Sequence, residues 1–160
     1  MTSLNLAQVE ALARLAHSAQ VDKAGRPYTE HLAAVAIGVA ERGGSDEQIA
    51  AAWLHDAVED GVLSPEWLAG SDLPQATKDM ILAVTKHPGE PPENYTARIL
   101  ATPGAVLIKE ADLAHNADPR RLAALPEATR ERLAAKYAHV RELLGIPAPE
   151  PAPAPAPPEE

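Results

Sequence analysis

The apolar run Ala50-Ala51-Ala52-Trp53-Leu54 leads directly into His55-Asp56, and Glu59-Asp60 follow four residues on. An imidazole and a carboxylate at the end of such a run are costly to bury unless each is paired or bound to a metal. Together they also suit a borderline divalent cation such as manganese, iron or zinc. The spacing predicts a helix reaching about Glu59, which sets Glu59 one turn after His55 and Asp60 one turn after Asp56. Four groups would then face one cavity, two to hold a cation and two to manage a water. A dipeptide cannot complete a coordination shell. The further candidates are His31, among Leu32, Val35 and Ala36, and Asp112 in the segment LIKEADLAHN. Taken singly, His31 reads as a core-edge imidazole bonded to a carbonyl, and Asp112 as the partner of Lys109 three residues earlier. The ordered set of His31, His55-Asp56 and Asp112 is what favours a metal.

The elements that must carry these residues read as helices divided by clear punctuation. Leu4, Leu6, Val9, Leu12 and Leu15 predict an amphipathic helix ending near His17. The loop SAQVDKAGRPY contains Gly25 and Pro27 and cannot be regular helix. A helix is expected over 30–42, closed by Gly43-Gly44, and Ser45 with Gln48 makes a capping box for the next. Ser64-Pro65 starts a short helix, and further helices are expected over 74–86, 93–101, 105–116 and 127–144. Only residues 105–108 could pass for a strand, and their continuation at helical spacing argues against it. The expected fold is an all-α single-domain helical bundle over residues 1–145. Residues 146–160 hold seven of the 16 prolines and read as a disordered, Pro/Ala-rich acidic tail.

Composition narrows the classes. The 160 residues contain no cysteine, which excludes disulfides, zinc fingers and cysteine nucleophiles. Hydrophobic residues make up 46% and aromatics 3%, with no Phe, a balance that favours helix over sandwich or barrel. A net charge of −9, from 14 basic and 23 acidic residues, disfavours a nucleic-acid polymer or a membrane surface as partner. A small anionic ligand stays open where a local cation neutralises it. The N-terminal MTSLNLAQVEALARL lacks the basic start and continuous apolar run of a signal peptide, so a cytoplasmic protein is expected.

The order H…HD…D resembles that of the HD-domain metal-dependent phosphohydrolases, a helical superfamily. AHSAQVDKAGRPYTEH (residues 16–31) is similar to the AHxGQxRKxGxPYxxH segment of the RelA/SpoT-type (p)ppGpp hydrolase domain. WLHDAVED resembles its LLHDxxEDT, Glu93-Asn94-Tyr95 its ENY, and LIKEADLAHN its IKLADRxHN. The likeness spans about residues 7–144 and matches a stand-alone small hydrolase. It implies that His31, His55, Asp56 and Asp112 hold one Mn²⁺, or another divalent first-row metal. It also implies that Glu59 and Asp60 position and deprotonate the attacking water, and that Lys23 and Tyr95 face the nucleotide. Arg26 in the same loop is a further candidate for that contact, Lys109 could meet phosphate or pair with Asp112 or another carboxylate, and Asn116 could meet the base or ribose or cap its helix. The implied reaction is hydrolysis of guanosine 3′,5′-bis(diphosphate) to GDP and pyrophosphate, a chemistry of the stringent response.

The departures all touch substrate handling. Asp22 stands where the family has an arginine that contacts the purine, a charge reversal that Arg26 could offset. Gly61 replaces the threonine of EDT, and Pro119 stands three residues after Asn116 where the family often has threonine. Two alternatives therefore remain. One is a phosphatase of the same superfamily acting on NADPH, a nucleoside phosphate or another phosphorylated metabolite; the other is a catalytically silent nucleotide sensor. His17 is expected to be structural, His87 and His139 to lie at the surface, and Trp53 and Trp67 to anchor the core.

Overall fold

The three segments bearing the candidate ligands pack against one another at the centre of the molecule. The computed structural model describes residues 5–147. Its helices are α1 (Leu6–Ala16), α2 (Tyr28–Glu41), α3 (Asp46–Leu54), α4 (Pro65–Gly70), α5 (Gln75–Ala83), α6 (Pro92–Ala101), α7 (Ala105–Asn116), α8 (Pro119–Ala123) and α9 (Glu127–Leu144). Among the described residues the only β-type pairing is an isolated bridge between Val21 and Pro27. The all-α expectation holds, and the strand-like 105–108 opens α7.

Helix α3 lies between α1, α2, α5 and α7. Ala50, Ala51 and Ala52 are fully buried, so three consecutive faces of this helix meet neighbours. Small side chains let those neighbours approach closely. Its start is the expected capping box, with Ser45 Oγ accepting from Gln48 N and Gln48 Oε1 accepting from Ser45 N. Leu32, Val35 and Val39 of α2 and Ile108 and Leu113 of α7 complete the core. Among the described residues, no helix is long and apolar enough to cross a membrane.

Helix α3 stops at Leu54, well short of Glu59. The ring of His55 explains this: its Nδ1 stands 2.6 Å from the Ala52 carbonyl and takes an acceptor that a continuing helix would use. The chain then proceeds in turns, although Asp60 N still donates to Asp56 O at 2.8 Å. Leu15 is 74% exposed, because α1 buries the stripe of Val9 and Ala13 and Leu15 projects from the other side. Trp53 is buried beneath the Arg14 guanidinium, whereas Trp67 is 38% exposed on α4, which turns only Leu68 inward. Helix α8 was not expected; Asp118 caps it and Pro119 opens it. Ile146 still packs against the core, and the expected tail and Leu4 otherwise fall outside the described residues.

Candidate metal centre

Helix α2 brings His31, the turn after α3 brings His55 and Asp56, and α7 brings Asp112. One donor atom from each lies within 4.8 Å of the others. His31 Nε2 stands 2.9 Å from Asp112 Oδ1 and 3.8 Å from Asp56 Oδ2. His55 Nε2 stands 3.3 Å from the same Asp112 oxygen and 3.1 Å from the same Asp56 oxygen. Two imidazole nitrogens thus face two carboxylate oxygens, all on side chains that are buried or nearly so. This donor set fits a divalent first-row cation.

The surrounding groups orient these atoms. With His55 Nδ1 donating to the Ala52 carbonyl, the His55 Nε2 lone pair points into the cluster. His31 Nδ1 meets His115 Nδ1 at 2.7 Å, which gives His31 the same orientation when it donates there. Burial pushes the His115 pKa down to about 4, and the neighbouring His31 and Arg121 add to that, so His115 is neutral and able to accept. Tyr28 donates its hydroxyl to Asp56 Oδ2. Lys109 Nζ donates to Asp112 Oδ2 at 2.9 Å, and Asn116 Nδ2 to Asp112 Oδ1 at 3.1 Å. Burial would raise the Asp112 pKa, but Lys109 beside it helps hold it well below the usual carboxylate range.

Glu59 and Asp60 are held by bonds to other segments, and only Glu59 shares a cavity with His55 and Asp56, so the expected set of four facing one cavity is reduced to three. Glu59 Oε1 accepts from the Lys86 backbone N–H at 2.7 Å, and Asp60 Oδ2 accepts from Gln20 Nε2 at 2.9 Å. Gln20 Oε1 in turn meets His17 Nδ1 at 2.7 Å, and the buried His17 ring stacks on Tyr28. Desolvation raises the pKa of both carboxyls, against the lowering effect of those hydrogen bonds.

Two cavities open from the cluster and share Tyr28, Asn116 and Tyr137. The larger, about 520 Å³, reaches His31 and is bordered by the 21–26 loop, His115, α8 and Leu133. The smaller, about 200 Å³, contains His55, Asp56, Glu59 and Asp112 with Lys86, Lys109 and Lys136. Lys23 and Arg26 line the larger cavity, although Arg26 is also paired with Glu30 at 2.7 Å. Tyr95 lines the smaller one with its ring alone, since its hydroxyl donates to the Val84 carbonyl. Lys109 sits over that ring, 5.2 Å from its centroid. His87 and His139 are exposed as expected.

The sequence reading missed Tyr28, His115, Arg121, Lys86, Lys136 and Tyr137. Tyr28 lies three residues before His31 and His115 three after Asp112, so their nearness to the ligands is legible in the sequence. Nothing in ADPRRL distinguishes Arg121, whose place depends on how α8 folds back.

Residues 10–87 match the profile of the HD domain. The guanosine-3′,5′-bis(diphosphate) 3′-pyrophosphohydrolase of Aquifex aeolicus is 33% identical over 142 residues, covering 81% of this chain and 20% of that protein. The bifunctional (p)ppGpp synthase/hydrolase SpoT of Escherichia coli is 32% identical over 156 residues, covering 88% of this chain and 22% of that protein. The chain thus spans about a fifth of the length of these curated relatives. A solved structure described as a metazoan ortholog of SpoT that hydrolyzes ppGpp and plays a role in starvation responses superposes with a TM-score of 0.74. It is 22% identical, and the match covers 90% of this chain and 87% of that one, a likeness of fold. By its matched profile, its all-helical fold and its clustered His31, His55, Asp56 and Asp112, the chain belongs to the HD-domain family.

Proposed function

We propose that the protein is a cytoplasmic, divalent-metal-dependent phosphohydrolase whose substrate is (p)ppGpp, cleaved at its 3′-diphosphate to GDP or GTP and pyrophosphate. The observation that carries this reading is the convergence of the four donor atoms where two cation-lined cavities meet. The names of the relatives supply the substrate class. In this reading His31, His55, Asp56 and Asp112 hold the cation, with Mn²⁺ the expected ion. A bound divalent cation supplies water activation and stabilises charge developing on phosphoryl oxygens.

The chain's own residues would do the rest. Lys86, Lys109 and Lys136 set positive charge along the smaller cavity, suited to the diphosphate. Glu59 lines that cavity, and its raised pKa suits it to accept a proton from an attacking water; Asp60, anchored by Gln20, would orient that water. Tyr28 keeps Asp56 in register. Asn116 touches Asp112 and borders both cavities, so it would link substrate position to ligand position. Lys23 and Arg26 would meet the nucleotide in the larger cavity.

The test is a panel of ppGpp, NADPH, nucleoside monophosphates and cyclic nucleotides with Mn²⁺. Pyrophosphate release from ppGpp alone, abolished by chelation and restored by Mn²⁺, is the expected result. Turnover of another member instead would favour the second reading, a phosphatase for a different nucleotide. Asp22, an acid on the larger cavity, is the residue that keeps that reading open.

A further inference from the structure

The acid at position 22 has a second role in the folded chain. Asp22 Oδ1 accepts from the backbone N–H of Ala24 at 2.9 Å and of Arg26 at 3.0 Å, which closes its own loop. Its other oxygen, Oδ2, accepts from Arg121 Nη2 at 3.1 Å, across 99 residues of sequence. Arg121 Nη1 also donates to Asn116 Oδ1 at 3.0 Å and reaches His115 Nδ1 at 2.9 Å and His31 Nδ1 at 3.3 Å. The guanidinium therefore sits between the loop, α2 and α7, on the wall of the larger cavity. We propose that Arg121, positioned by Asp22, is the nucleobase-binding residue of this site.

Three features favour a base over a phosphate as its ligand. Asp22 at 3.1 Å offsets the positive charge of Arg121 and would repel a phosphate placed beside it. What remains is a rigid planar cation with spare N–H donors, suited to stack on a ring and to bond its edge. Beside Lys23, Arg26 and Arg120, the same cavity offers the apolar and aromatic surface of Leu122, Leu125, Leu133 and Tyr137 on which a purine can pack. Lys86 and Lys136 of the smaller cavity are left for the phosphates.

This inference rests on the nucleotide reading above, and the test separates the two. Wild type, Arg121→Ala, Arg121→Lys, Asp22→Asn and the double variant Asp22→Asn/Arg121→Ala are compared. The measurements are ppGpp turnover, calorimetric binding of GDP and of pyrophosphate, and Mn²⁺ affinity. Arg121→Ala is expected to raise KM and weaken GDP binding about tenfold or more, with kcat, pyrophosphate binding and Mn²⁺ affinity little changed. Arg121→Lys, which keeps charge and loses the plane, should recover little of the loss. Asp22→Asn should give a smaller loss, and the double variant should be no worse than Arg121→Ala. If wild type turns over ppGpp while Arg121→Ala keeps its KM and GDP affinity, the inference fails and the function stands. If Arg121→Ala loses Mn²⁺ affinity and kcat instead, Arg121 is structural and the inference fails. Wild type that neither binds GDP nor cleaves ppGpp overturns both.

Discussion

At the scale of single residues, proton placement and ligand orientation are separate jobs that mutation can separate. Glu59 sits in the smaller cavity yet outside the four-donor cluster. Glu59→Gln should lower kcat by about 100-fold or more while Mn²⁺ affinity measured by calorimetry stays put. A sensor with no chemistry would have no turnover for that change to remove. His115 predicts the opposite pattern. Its contact with His31 Nδ1 at 2.7 Å fixes the ligand ring, so His115→Ala should weaken Mn²⁺ binding by about 10–100-fold. Unchanged Mn²⁺ affinity in that variant would remove the orienting role assigned to His115.

At the scale of elements, the connections into α6 and α7 carry the constraints. Gly104 caps α7 at φ +84°, and a Cβ there would stand 2.8 Å from Met80 Sδ. Gly104→Ala should therefore cost about 1–3 kcal/mol in denaturant unfolding, from backbone strain and crowding together. Before α6, Arg98 grips Glu90 with both terminal nitrogens and donates to the Thr85 carbonyl, tying the 85–90 loop to the helix. Arg98 holds the Glu90 pKa down at about 2 against an ordinary value of 4.5. Because the folded state depresses this pKa, the contribution is complete above about pH 4.5 and is lost as pH falls towards about 2. Thermal melts of Glu90→Gln should lack that part of the acid-induced decline, and an unaltered pH profile would count against the pair.

At the scale of the whole molecule, one cation would bind α2, the turn after α3 and α7 into a single unit. An ion bound only by the folded state stabilises it by mass action, by about 2.7 kcal/mol at one hundred times Kd. Saturating Mn²⁺ should then raise Tm by several degrees, since about 1 kcal/mol moves a domain of this size by roughly 2–4 °C. Asp112→Ala should abolish the shift, whereas Glu59→Gln should keep it. A melt insensitive to Mn²⁺ in the wild type would contradict a shared ion across the three segments.

Periodicity and punctuation made most helices legible, because apolar stripes, the Ser45 capping box and Gly145 act over neighbouring residues. His31, His55, Asp56 and Asp112 were legible from their order and from flanking apolar segments that require buried polar groups to be satisfied. The early end of α3 was hidden, since it depends on one ring turning back to a carbonyl instead of out to solvent. Leu15 and Trp67 fit a core by residue type, but only the packing partners of α1 and α4 decide which face is covered. Asp22 shows the same limit in the site itself. Its sequence position reads as the loss of a cation, while the fold brings Arg121 to it from 99 residues away. Chain-local chemistry determined which residues needed partners; contact between distant segments alone decided which partners they found.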